Sequence, residues 1–133
     1  MTQYFTEAEL RCKCGRPACD APKPSMALLS MLDLVRRAVG RPLPVNSGCR
    51  CAWWNAKQGG VKGSEHETGE GADIACPDSS LRFRILMAAW QTGVARVGTG
   101  KDFIHLGVSK THDQNVVWHY YGNGTCTVCH KEP

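Results

Sequence analysis

Between Ser25 and Gly40 the apolar residues Leu28, Leu29, Leu32, Val35 and Val39 recur at three- and four-residue steps, the spacing of one helix face. Ser25, just after Pro22 and Pro24, can cap the start, and Gly40 can close the end in a left-handed turn. At about 3.6 residues per turn this predicts a helix of about four turns. A second helix is predicted from Asp78 or Ser79 to near Gly93, with Phe83, Leu86, Met87 and Trp90 as its apolar stripe. Cys51 to Lys57 predicts a brief helix. Short apolar or β-branched runs predict strands at Leu43 to Asn46, Asp73 to Cys76, Val94 to Val97, Phe103 to Val108 and Val116 to Tyr121. From Gln58 to Gly71 the chain holds five glycines and several charges, the composition of a loop that carries a site.

Helices first and a strand meander last predict an α+β fold, a small antiparallel sheet flanked by two main helices. No repeat or linker divides the chain. One domain over residues 1–133 is therefore expected, with residues 1–20 and 122–133 as cysteine-bearing terminal extensions.

The 133 residues, 42% of them apolar, suffice for a single core, and 8% aromatic with 21% charged residues excludes a disordered or fibrous chain. The longest uninterrupted apolar stretch, Ile85 to Trp90, falls far short of the roughly 18 residues of a membrane span. A net charge of +4 suits an anionic partner without requiring nucleic acid. The opening MTQYFTEAELRCKCG lacks a basic segment followed by an apolar one, so no export signal is expected. Cytoplasmic synthesis of a monomer is expected, with any action in a periplasm or on a cell wall following release.

The chemistry concentrates in two stretches. The loop SEHETGEGAD carries His66 and Asp73, and the run FIHLGV carries His105. Two imidazoles and a carboxylate form a three-ligand set for zinc, with the fourth position left for water. The segment resembles the zinc D-alanyl-D-alanine carboxypeptidases and phage peptidoglycan endopeptidases, in the superfamily that includes the hedgehog signalling domain. Their signature is Ser, any, His, two residues, Gly, any, Ala, any, Asp. Ser64, His66, Gly69 and Asp73 match it, whereas Gly71 stands where alanine is usual. SGCR resembles the family's Ser-Gly-Tyr-Arg segment, and FIHLGV with Trp118 resembles its last histidine strand and closing tryptophan, so the likeness spans about Val45 to Tyr121.

The resemblance implies a zinc site of His66, Asp73 and His105 on the sheet, and a peptidoglycan stem peptide as substrate. It implies a substrate-binding Arg50, whose fork suits a carboxylate beside the cleaved bond. Ser64 is a candidate for holding the loop or the substrate. Asp102, three residues before His105, stands at the offset where related enzymes carry a catalytic acid or histidine; Glu65, Glu67 and Glu70 are the other carboxylates near the loop. The family often has aspartate two residues after the final histidine, where this chain has Gly107. His105 must then be oriented some other way. Trp53, Trp54 and Trp118 are expected to be structural.

Eight cysteines are heavy usage for this length, and without an export signal metal ligation is the first expectation. Cys126 and Cys129 form a C-x-x-C half-site, expected to join two of Cys12, Cys14 and Cys19 in a second, structural zinc site, with His130 able to replace one thiol. Cys126-Thr-Val-Cys129-His130 also fits the haem-attachment pattern, which an unexported chain would not use. Cys49 or Cys51 with Cys76 is the obvious disulfide in an oxidising compartment. Two function classes follow: a zinc peptidase acting on stem peptides, as carboxypeptidase or endopeptidase, and a non-catalytic zinc module of the same fold that binds a wall or protein partner.

Overall fold

The computed structural model describes residues 4–120 and 132–133. Its elements in chain order are α1 (Glu7–Leu10), α2 (Met26–Val39), β1 (Val45–Ser47), α3 (Ala52–Lys57), α4 (Glu65–Thr68), β2 (Gly71–Ala75), α5 (Ser79–Thr92), β3 (Arg96–Thr99), β4 (Phe103–Gly107) and β5 (Val116–His119). The fold is α+β. No helix among the described residues is long and apolar enough to cross a membrane.

α2 forms where its pattern predicts. Ser25 accepts from the Leu28 amide, Gly40 closes the helix with φ 80°, and the buried face is Leu28, Met31, Leu32, Val35 and Val39. α5 is capped by Asp78 through the Leu81 amide. Its buried face is Leu81, Ile85, Ala88 and Ala89, not the predicted Phe83, Met87 and Trp90, which are exposed. α5 packs on α2 with the small residues Ala88 and Ala89 on its buried face, and the larger apolar residues are left on the outer side of the helix.

The sheet runs β1-β2-β4-β3-β5. All pairs are antiparallel except β3 with β5, which run parallel. The last three strands are thus no meander: the chain crosses back after β4 and starts β5 beside Arg96. Strand alternation divides the sheet into two faces. Ala72, Ile74, Val97, Ile104 and Leu106 join the helices in the core. The opposite face presents a cross-strand row of Asp73, His105, Gly98 and Trp118.

The N-terminal segment, expected as an extension, contributes Phe5 and Leu10 to that core. The Leu10 carbonyl accepts from the Cys49 amide at 2.9 Å, which fixes the segment against the strand-to-helix turn holding Arg50.

Candidate metal centre

The site is assembled from three places on the sheet's polar face. Asp73 and His105 are direct cross-strand partners on β2 and β4. His66 comes from α4, a single helical turn inside the stretch expected to be loop. Ser64 precedes that turn, and Gly69, with φ 76°, ends it. Asp73 Oδ1 lies 3.1 Å from His66 Nε2 and 2.9 Å from His105 Nδ1. One donor atom from each of the three residues lies within 4.8 Å of the others, and all three residues are buried. The expected ligands are therefore brought together.

The far nitrogen of each ring is already held. His66 Nδ1 is 2.6 Å from the Gly48 carbonyl, and His105 Nε2 is 3.0 Å from Glu65 Oε1. A carbonyl and a carboxylate can only accept, so these nitrogens donate, leaving His66 Nε2 and His105 Nδ1 to face Asp73. Two imidazole nitrogens and a carboxylate oxygen, each ring fixed from behind, fit a zinc ion. Without metal, burial pulls the His105 pKa down, but hydrogen bonds to Asp73 and Glu65 outweigh it and push it up to about 9. Burial opposes ionisation of Asp73, yet the two imidazoles hold its carboxyl far below the usual range.

Glu65 is fully buried, and it answers the question raised by Gly107. Beyond His105, its carboxylate accepts from the Ser109 amide at 2.9 Å and pairs with Arg96 Nε at 3.0 Å. A Cβ at Gly107 would overlap both carboxylate oxygens of Glu65. The glycine thus vacates the space into which α4 sends the acid that orients His105. Glu65, Glu132 and His105 also draw together, but Glu65 is taken by Arg96 and Ser109, so of the two described sets that share His105 it is His66, Asp73 and His105 that is free to take a metal.

A groove of about 280 Å³ opens beside these ligands, lined by Arg50, Ser64, His66, Asp73, Phe103 and Tyr120 among others. Arg50 donates from Nε to Ser47 Oγ (2.8 Å) and from Nη1 to Asn55 Oδ1 (3.0 Å), and its Nη2 lies 3.4 Å from Asp73 Oδ2. Asn55 is itself fixed by donating to the Val61 carbonyl and to Glu67. Ser64 Oγ reaches Asn55 Oδ1 at 3.4 Å. Asp102 stands apart: it is exposed, its carbonyl accepts from the Cys76 amide, and it is not among the groove residues. Glu132 is the added carboxylate in that lining. Trp53 is 43% exposed and Trp54 half-buried, while Trp118 is buried beside His105.

Sequence reasoning missed Asn55, Arg96, Glu132 and the orienting role of Glu65. Only Glu65 had a signal, the glycine where the resemblance called for an acid.

The family model described as Peptidase M15 matches residues 3–107, a range that includes Arg50, His66, Asp73 and His105. The chain belongs to the peptidase M15 family. No curated protein matches it. Membership of the M15 family suggests a zinc metallopeptidase, in keeping with the grouped metal-binding side chains. The match begins before the first cysteines, so the N-terminal segment lies within the region shared with M15 peptidases.

Proposed function

We propose that this M15 chain is a zinc metallopeptidase that cleaves peptidoglycan stem peptides, as a D-Ala-D-Ala carboxypeptidase or as an L-Ala-D-Glu endopeptidase of the phage lysis type. The observation that carries the reading is the convergence of His66, Asp73 and His105 beside a groove that also holds Arg50. When bound, zinc would polarise the scissile carbonyl and acidify a water towards a pKa of about 7.

The chain's own groups supply the rest. Ser47 and Asn55 pre-orient the Arg50 guanidinium, so its fork can grip the carboxylate next to the cleaved bond without first being ordered. Both candidate substrates have such a carboxylate, which is why Arg50 alone does not choose between them. Glu65 and the Gly48 carbonyl hold the imidazoles in one tautomer each. Ser64, buried at the groove wall, can hydrogen-bond the peptide.

A carboxylate must take the water's proton and hand it to the leaving amine. Asp102 is assigned this role on its offset before His105 alone. Asp102→Asn should then abolish cleavage with zinc content unchanged. An unchanged rate removes Asp102 from the mechanism and leaves Glu132, which lines the groove.

Mass spectrometry of purified muropeptides after incubation with the zinc-loaded protein tests the whole reading. Loss of a terminal alanine identifies a carboxypeptidase, and release of the stem after its first residue an endopeptidase. Intact muropeptides would favour the non-catalytic zinc module.

A further inference from the structure

Away from the groove, Cys12, Cys14, Cys19 and Cys51 bring four sulfurs within 4.8 Å of one another. Three come from the segment after α1, and the fourth is the N-cap of α3, immediately after Arg50. Cys126 and Cys129, expected to supply the other half of a terminal site, lie outside the described residues. Among the described residues it is Cys51 that completes the set. We propose that these four thiols bind a structural zinc ion, separate from the His66, Asp73 and His105 centre.

The geometry is that of a closed tetrahedral site. With Zn–S bonds of about 2.3 Å, the sulfurs of a regular tetrahedron stand about 3.8 Å apart. Cys12 Sγ and Cys51 Sγ are 3.8 Å apart, far beyond the bonded distance of a disulfide. The sulfurs are also supported as thiolates are: the Cys51 amide donates to Cys12 Sγ, the Trp54 amide to Cys51 Sγ and the Arg16 amide to Cys14 Sγ, each at 3.4 Å. Gly15 makes the third of these turns with φ 68°, a backbone conformation that glycine adopts at little cost. Arg11, Arg16 and Lys23, with Glu7 as the one acid among them, line the cavity beside the thiols, and this surplus of positive charge offsets the net negative charge of a four-thiolate zinc centre.

Cys49 marks the contrast. It lies within the same turn, but it is buried and its sulfur is not in the cluster. The proposed ion therefore clamps residues 12–19 to the turn that presents Arg50. It does so whether or not the groove cleaves peptides.

The test uses the full chain, reduced and purified with zinc. Elemental analysis should give about two zinc ions per chain, falling to about one in Cys19→Ser, whose exposed position spares the core. The paired substitutions Cys126→Ser and Cys129→Ser should leave about two. If they lower the count instead, the ligand set is wrong. A second measurement does not depend on whether cysteine variants fold. In His66→Ala/His105→Ala, cobalt should give the intense thiolate charge-transfer bands of a four-sulfur tetrahedral site. Absence of those bands, or a Cys12–Cys51 disulfide recovered from protein kept under reductant, overturns the proposal.

Discussion

The two clusters of metal-binding side chains differ in almost every physical respect. His66, Asp73 and His105 are buried, and two of the three stand on paired strands. Their remaining polar atoms are engaged by Gly48, Glu65 and Arg50. The thiols sit on short turns and one helix cap, and range from buried Cys51 to exposed Cys19. Three mixed ligands facing a groove keep a position open for substrate, whereas four thiolates close a tetrahedron and leave only a mechanical role. The sheet holds the first site rigid from behind. The proposed second ion would hold together a segment that has little secondary structure of its own.

The hardest way to break this comparison is to remove one open-site ligand. His66→Ala should abolish muropeptide cleavage and lose one zinc, with the cobalt–thiolate signature of the cysteine site intact. Cys19→Ser should do the reverse, keeping the groove metal and losing activity only as far as Arg50 is loosened, which would appear in KM before kcat. If either substitution strips both metals, the two sites are not independent and the contrast fails.

The sequence revealed these two regions unequally. His66, Asp73, His105 and Arg50 were legible because their order and spacing follow a motif, and the helix cap at Ser25 and stop at Gly40 because capping is local chemistry. Cys51 was not legible as a partner of Cys12: the two are 39 residues apart, and tertiary bonds such as that of the Cys49 amide to the Leu10 carbonyl bring them together. The α5 stripe misled because hydrophobicity ranks Phe83 and Trp90 above Ala88 and Ala89, whereas close helix packing selects the alanines. The parallel β3–β5 pair depends on a crossover that no strand pattern encodes.

Glu65 and Gly107 sharpen the comparison next, because they belong to the rigid shell that only the open site has. Glu65→Ala would leave Arg96, fully buried, without its carboxylate and His105 without its acceptor. Breaking such a pair costs about 3–5 kcal/mol. Gly107→Asp alone should also destabilise strongly, since its side chain would collide with Glu65. Together the two changes should partly cancel, with the new aspartate occupying the space of the lost acid. Urea denaturation of the four-protein cycle should give a favourable coupling above about 1 kcal/mol, and additivity within about 0.5 kcal/mol would show that the two positions do not share one role.

The effect with the narrowest reach is the pH dependence of metal-free protein. Asp73 and Glu65 raise the His105 pKa from 6.5 to about 9, so the folded state holds a proton that the unfolded chain releases earlier. The resulting stabilisation is complete below about pH 6.5 and is lost as pH rises through about 9. The melting temperature of the metal-stripped chain should therefore fall across that window. Thiols titrate over part of the same range, so the comparison is with His105→Asn, which should show a shallower decline. Zinc replaces the proton on Nδ1, and loading the open site should flatten the wild-type curve towards that of the variant. Equal slopes for wild type and His105→Asn without metal would mean that His105 is already neutral between its two carboxylates, and the electrostatic contrast between the two clusters would lose its main support.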